Sequence, residues 1–426
     1  MKVAFYTLGC KVNQYETNGM IQKFKELGYE IVEFEEKSDI YIINTCTVTN
    51  MADRKSRQFI RQAKKNNLDA IIVAVGCYVD VAKEILEKIP EITICIDNQN
   101  KKNIADIVDN YIKNKTIIEK EKNEEYSEFG TITYTEKTRA TIKVQDGCNM
   151  FCSYCIIPYA RGRIRSRKPE NVIEEINQIA KKGIKEVVIT GIHVASYGKD
   201  FENNYDLISL LEDIDKIEGI KRIRIGSIEP KLFSKENLER LSKIAKLTHH
   251  FHISLQSGCT ETLKRMNRKY TAVEFEEIVN DIRNTFKDVI LTTDIIVGFP
   301  GETEEEFEET YNFLKRIKFY KMHIFKYSQR NGTIAAKMEN QINNEQKEKR
   351  SKRLLELSDK NEIEYLNSYI GKSVEVLFEE EKNKEYQGHT ENFILIKVKS
   401  NEDINNKIRK VKIVKREDLA LLAKCV

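Results

Sequence analysis

No apolar run in the chain approaches the roughly 20 residues that a membrane-spanning helix needs. The longest, Ala70 to Val79, has ten residues and includes a Gly and a Tyr, so no membrane partner is expected. An excess of one charge is missing as well. The 71 Lys+Arg residues face 67 Asp+Glu, a formal net charge of +4, and this excludes extreme basicity. With 40% hydrophobic residues, the composition also excludes disorder. The opening MKVAFYTLGCKVNQ has no apolar core followed by a small-residue cleavage site. It reads as a folded strand, and the expected location is the cytoplasm. No repeat of solenoid period occurs. Nine cysteines are an odd number, and a disulfide framework is not expected where thiols stay reduced.

What is present is alternation. A chain of 426 residues suggests about two to four domains. Over the first hundred residues the apolar segments KVAFYTL, DIYIIN, AIIVAV and ITICI alternate with helical ones, a βα rhythm that predicts a doubly wound parallel sheet over 1–115. Residues 116–138 are dense in Lys and Glu with weak periodicity, as expected of a linker or hairpin. From Arg139 the strand candidates TIKVQ, EVVIT, IRIGS, HISL, ILTTDIIVG and HIFKYS, each separated by a helical segment, predict a partial (β/α)6 barrel over 139–368. Residues 369–426 change to short strands such as SVEVLFEE and FILIKVKS and predict a small β-barrel. The fold class is α/β with this β-rich end.

The strongest local signal is QDGCNMFCSYCIIP, in which Cys148, Cys152 and Cys155 form a C-x3-C-x2-C pattern after the first barrel strand. Structural zinc wants four ligands, usually as two close pairs, and no second C-x2-C pair exists. A 4Fe-4S cluster held by three thiolates keeps one iron open for chemistry. Three further cysteines are dispersed. Cys10, Cys46 and Cys77 each follow a predicted strand and are 36 and 31 residues apart, about one βα unit of roughly 30 residues each. Strand carboxyl ends share one rim in such a sheet, so these thiols could hold a second cluster. Otherwise each is a small apolar residue closing a strand. Cys95 falls inside a strand and reads as core. Cys259 reads as a buried thiol before a helix more readily than as a sulfur relay, and Cys425 reads as incidental.

The loop spacing resembles that of the radical S-adenosylmethionine superfamily. TLGCKVNQYE, NTCTVTN, VGCY, DGCNMFCSYCIIPYARGRIRSR, LQSGC and GFPGET extend the resemblance over essentially the whole chain to the methylthiotransferases. That resemblance implies two 4Fe-4S clusters, with Cys148, Cys152 and Cys155 on the one that cleaves S-adenosylmethionine and Cys10, Cys46 and Cys77 on the one that carries sulfur. It also implies an external one-electron reductant and a sulfur donor. NTCTVTNMADRKSRQ and IIPYARGRIRSR look closest to the branch that modifies N6-threonylcarbamoyladenosine beside the tRNA anticodon. The branches acting on isopentenyladenosine in tRNA or on a ribosomal-protein aspartate are the alternatives. A non-catalytic zinc or RNA-binding protein is the rival from another class.

Ligands of such barrels lie at strand carboxyl ends. Glu229, Gln256, Ser257 and Asp294 are therefore candidates for S-adenosylmethionine, whose ammonium, hydroxyls and adenine edge suit carboxylates and amides. Tyr154, beside the third loop thiol, resembles the adenine-contacting aromatic of the superfamily. His193 is a weaker candidate for substrate, and His249, His250 and His252 have no nearby cysteine pair with which to bind metal. For RNA, residues 139–169 hold Arg139, Lys143, Arg161, Arg163, Arg165, Arg167 and Lys168 against Asp146 alone. An extended RGRIRSR strand would align its arginines for phosphates of an anticodon stem-loop, unless it pairs with the acidic helix that follows. The terminal segment resembles the TRAM domain, which implies RNA contact through lysines such as Lys397, Lys399, Lys410 and Lys412.

Overall fold

The computed structural model describes residues 1–118, 125–134 and 138–426. Its amino-terminal part runs β1 (Lys2–Thr7), α1 (Lys11–Glu26), β2 (Glu30–Val32), β3 (Ile40–Thr45), α2 (Asn50–Asn66), β4 (Ile71–Gly76), α3 (Cys77–Leu86), β5 (Ile94–Ile96) and α4 (Ile104–Asn114). The strands form one sheet in the order β2-β1-β3-β4-β5, parallel throughout. Runs such as Ile40 to Ile43 are apolar on both faces because helices cover both. β1 has β2 on one side and β3 on the other, so the connections diverge there. The crevice at the carboxyl ends of β1 and β3 is the place where such sheets take ligands. The short, half-buried edge strand β2 is the one the alternation does not predict.

The central part contains β6 (Arg139–Asp146), α5 (Ile157–Arg161), β7 (Arg165–Ser166), α6 (Pro169–Lys181), β8 (Glu186–Gly191), α7 (Leu207–Asp215), β9 (Arg222–Ile225), β10 (Ser227–Ile228) and α8 (Lys235–Ser242). It continues through β11 (His250–Ile253), α9 (Thr260–Arg265), α10 (Ala272–Thr285), β12 (Ile290–Val297), α11 (Glu304–Ile317), β13 (Lys321–Lys326) and α12 (Asn344–Asn367). Two sheets, β7-β6-β8-β9 and β10-β11-β12-β13, curve into one another. Only Gly226 separates β9 from β10, and an Ile223–Leu247 bridge reinforces the seam. Ile142, Ile189, Ile225, Phe251, Ile295 and Met322 pack outward in the core under the helices. By the two-residue period of a strand, Thr141, Arg224, His252, Asp294 and His323 face the lumen.

The amino-terminal part closes the lateral gap of this partial barrel. On the β6 side Glu16 of α1 pairs with Lys143 at 2.7 Å and with Arg161 at 2.8 Å. On the β13 side Arg330 pairs with Asp53 at 2.7 Å and donates to Thr47 and Asn50. Of the segment expected to be a linker or hairpin, residues 119–124 and 135–137 lie outside the described residues. In the described stretch 125–134, Phe129 and Ile132 are buried against α1 in the amino-terminal core, and no strand pairing occurs. The two apolar anchors make this stretch a packed strap and not a free tether.

The last part, β14 (Ser373–Lys382), β15 (Glu385–Thr390), β16 (Leu395–Lys399), β17 (Ile408–Glu417) and β18 (Ala420–Cys425), closes into a barrel ordered β14-β15-β16-β18-β17. It caps the bottom of the lumen. Arg222 and Arg224 donate to the carbonyl oxygens of His389 and Glu391, each at 2.9 Å, and Arg139 pairs with Glu379 at 2.9 Å.

Candidate active site

The loop thiols follow the carboxyl end of β6. Gly147 turns the chain there with φ +70°, and a Cβ at that position would lie 1.8 Å from the Arg163 carbonyl oxygen, so no side chain fits. The Cys148 N–H donates to Gly162 O at 3.0 Å, Cys155 N–H to Cys152 O at 2.9 Å, and Ser153 N–H to Met266 O at 3.0 Å. These bonds fold the loop so that its three half-buried sulfurs share one neighbourhood. Burial pushes the Cys155 thiol up to about 12, and the Cys152 and Cys148 thiolates push it in the same direction.

The dispersed thiols come together on the other side of the lumen, at the carboxyl ends of adjacent strands. Cys10 precedes α1 after β1, Cys46 follows β3, and Cys77 opens α3 after β4. Gly9, with φ +104°, brings the first loop so close that an added Cβ would be 3.0 Å from Cys46 Sγ. Burial raises the Cys46 thiol to about 11, and the neighbouring Cys77 and Cys10 add to that rise. Cys77 Sγ receives the Arg161 Nε–H at 3.2 Å and the Asn98 amide at 3.6 Å.

Three observations test what these thiols fit. Among the described residues no disulfide joins any two cysteines. Among the described residues, the one set of three ligand atoms within 4.8 Å of one another is His252, Asp294 and His323, and no cysteine triad is so tight. Zinc at a Zn–S distance of about 2.3 Å would hold its sulfurs roughly 3.8 Å apart, and neither triad is drawn together to that spacing. Finally, among the described residues, the carboxylates bonded to the buried Arg161, Lys101 and Lys143 are Glu16 and Asp146. That connected set carries one uncompensated positive charge beside Cys77. A thiolate there, formed when the sulfur ligates metal, supplies the missing anion.

Around the loop triad, Glu229 is buried and accepts from Arg268 Nη2 at 2.6 Å, while Arg268 Nη1 donates to Cys152 Sγ at 3.4 Å. Arg268 thus ties a cluster thiol to the carboxylate, a role that sequence spacing alone did not reveal. Among the described residues Glu229 Oε1 and His193 Nε2 are buried without a hydrogen-bond partner, His193 Nε2 standing 3.9 Å from Glu229 Oε2, and both residues line a cavity of about 580 Å³ together with Met150 and Lys269. Orphaned polar atoms at a cavity wall fit a polar ligand such as S-adenosylmethionine. Tyr154 lies against Phe299, Met266 and Tyr327 beside the same loop. Gln256 holds a positive φ of 76°, where its backbone bonds to Asp294 and Ile296 join β11 to β12. Ser257 is a correction: its hydroxyl is buried, bonded to Thr310 Oγ1 at 3.1 Å and to the Cys259 N–H at 3.2 Å, so it packs behind the barrel wall. Asp294 meets His252 at 3.2 Å, with His323 close by. The histidine absent from any cysteine site belongs to this lumen group.

Residues 142–314 match the Radical SAM superfamily, and residues 2–97 match Uncharacterized protein family UPF0004. The threonylcarbamoyladenosine tRNA methylthiotransferase MtaB of Bacillus subtilis is 44% identical over 97% of this chain and 94% of its own length. The protein of the same name in Aquifex aeolicus is 43% identical over 96% and 99%. The chain is a radical S-adenosylmethionine methylthiotransferase. A tRNA-2-methylthio-N(6)-dimethylallyladenosine synthase of Clostridium botulinum is 36% identical over 97% and 95%. Among solved structures, the radical S-adenosylmethionine methyltransferase TsrM of Kitasatospora setae superposes with a TM-score of 0.57 at 14% identity, covering 76% of this chain and 72% of that one. This likeness concerns the fold alone. Like its family, this methylthiotransferase uses S-adenosylmethionine and two 4Fe-4S clusters.

The arginine strip expected to hold RNA is largely internal to the methylthiotransferase. Arg161, Arg165 and Arg167 are buried at 3%, 9% and 1% exposure. Arg161 is bound to Glu16, Asp146 and Asn13, Arg165 donates to Arg161 O, and Arg167 pairs with Glu128 and Glu175. The Arg161 and Arg167 forks tie the amino-terminal part to the barrel through Glu16, Asn13 and Tyr15, and two residues, Arg165–Ser166, form a strand there. They are withdrawn as phosphate contacts. Arg163 is exposed, over the Phe151 ring. Lys412 is exposed and Lys397 half-buried. The missed surface is α2, which starts four residues after Cys46 and carries Arg54, Lys55, Arg57, Arg61, Lys64 and Lys65 against Asp53 alone.

Proposed function

We propose that the enzyme converts N6-threonylcarbamoyladenosine beside the tRNA anticodon into its 2-methylthio derivative. A hydrogen leaves carbon 2, and sulfur bearing a methyl group replaces it. One observation carries the reading: two thiol triads, one in the loop after β6 and one at the carboxyl ends of β1, β3 and β4, in a chain 44% identical to a threonylcarbamoyladenosine tRNA methylthiotransferase. When bound, the clusters supply the electron that cleaves S-adenosylmethionine and the sulfur that is inserted. The chain's own residues do the rest. Cys148, Cys152 and Cys155 hold one cluster, Cys10, Cys46 and Cys77 the other. Glu229, held by Arg268, offers an anionic edge to the ammonium group of S-adenosylmethionine, with Tyr154 and Gln256 beside it. The closed lateral gap and capped bottom keep water from the reacting carbon.

The exposed cations Arg54 and Lys55 of α2, with Arg163, Lys397 and Lys412, are placed to take RNA phosphates. Turnover also needs a one-electron reductant and a sulfur donor, and among the described residues no helix is long and apolar enough to cross a membrane. The reading is tested by anaerobic reconstitution followed by nucleoside mass spectrometry of treated tRNA. The 2-methylthio derivative of threonylcarbamoyladenosine is expected. Methylthiolated isopentenyladenosine, or labelled sulfur in ribosomal protein, would replace this reading with one of its alternatives.

A further inference from the structure

Beyond Cys10 the lumen ends in a cavity of about 320 Å³ whose wall includes Lys11, Arg139, Thr141, Arg224 and Phe393. Its charges do not cancel. Arg139 is engaged by Glu379 at 2.9 Å and approaches Glu186 at 3.9 Å. Arg224 is 2% exposed and spends Nε on Glu186 and Nη2 on the Glu391 carbonyl oxygen, while its Nη1 has no hydrogen-bond partner among the described residues. Lys11 makes no hydrogen bond or ion pair among the described residues. Arg222 also leans on Glu186, at 3.8 Å. Three arginines therefore share Glu186 and Glu379, and Lys11 adds a fourth cation beside them. Lys11 stands exposed at the cavity wall with its ammonium available, and the buried Arg224 keeps an unsatisfied guanidinium N–H, which is retained at a cost unless an anion arrives.

We infer that this cavity is the specificity pocket for the substituent on the target adenine, with Lys11 and Arg224 binding its free carboxylate. The inference rests on the threonylcarbamoyladenosine reading above and names how that substrate is told from its rival. A threonylcarbamoyl group ends in a carboxylate and a hydroxyl; the carboxylate pairs with the two cations and the hydroxyl has Thr141 for a partner. An isopentenyl group offers neither and would leave the cations bare, so the pocket rejects it through unpaired charge as well as favouring its ligand. The position suits this role, because Cys10 lines the same cavity, and the substituent would point inward from the reacting ring.

The carboxylate of S-adenosylmethionine has the same chemistry, and the test separates the two sources. Reconstituted enzyme is titrated with two anticodon stem-loops, one carrying threonylcarbamoyladenosine and the other its methyl ester. Wild type is expected to bind the acid about tenfold or more tightly than the ester. Lys11→Met should bring the two to near parity, and Lys11→Arg should restore the preference. Equal binding of acid and ester by wild type would overturn the inference. So would a Lys11→Met variant that keeps the preference and instead weakens S-adenosylmethionine binding. Acid preference without methylthiolation of either RNA would fault the reaction proposed above and leave the pocket standing, whereas methylthiolation without acid preference would fault the pocket alone.

Discussion

Arg161 Nε lies 3.2 Å from Cys77 Sγ, while the same guanidinium donates to Glu16 at 2.8 Å across the junction of the amino-terminal sheet and the barrel. One side chain thus fixes a cluster thiol and locks two parts of the fold together.

Replacing Arg161 by Met should cost about 3 to 5 kcal/mol of stability, because removing one partner of a buried ion network strands the others. Urea unfolding measures this. Arg161→Lys should recover part of it, and iron incorporation at the amino-terminal triad should fall more than at the loop triad. A variant of unchanged stability would remove the network from its structural role.

Arg268 ties Cys152 to Glu229. Arg268→Gln should weaken S-adenosylmethionine binding about tenfold or more, since it loses a charge-assisted hydrogen bond that orients the carboxylate. Equilibrium dialysis against labelled S-adenosylmethionine reads the effect.

The helix α2 and the buried Arg165 make opposite predictions. Arg54→Ala with Lys55→Ala should lower RNA affinity and reduce the salt slope of log K by about two, one for each phosphate contact. Arg165→Ala should leave that slope unchanged, because its fork is internal.

Burial alone would raise the Glu379 carboxyl, but the His389 hydrogen bond and the Arg139 charge hold it below the usual carboxylate range. A carboxyl lowered on folding contributes stability above its unfolded pKa of about 4.3, and that contribution is lost as pH falls through the folded value. Glu379→Gln should therefore destabilise near neutrality, and thermal melts of the two proteins should converge in acid.

The six barrel strands are legible in the sequence because apolar residues alternate with a helix after each, and the loop thiols are legible because they lie within eight residues, Cys148 to Cys155. The terminal barrel is only half legible: β14 and β16 carry apolar runs, whereas β15, with EYQGHT, does not. The arginine strip misleads because charge alternation does not tell which fork meets water. The partner of Arg161, Glu16, is 145 residues away, and only the folded chain brings them together. Ser257 misleads for a similar reason: a loop hydroxyl at the correct end of a strand still faced α11 and not the lumen. The role of Lys11 is not legible beside its cysteine because it comes from Arg139 and Arg224, which lie on β6 and β9 while Lys11 opens α1.

The most direct test of two separate clusters on two thiol triads is iron and sulfide analysis, with spectroscopy, of wild type and Cys46→Ala reconstituted without oxygen. The account predicts about eight irons in wild type and about four in the variant, which still cleaves S-adenosylmethionine and forms no methylthio nucleoside. About four irons in wild type, or loss of cleavage in a folded Cys46→Ala protein, would contradict it.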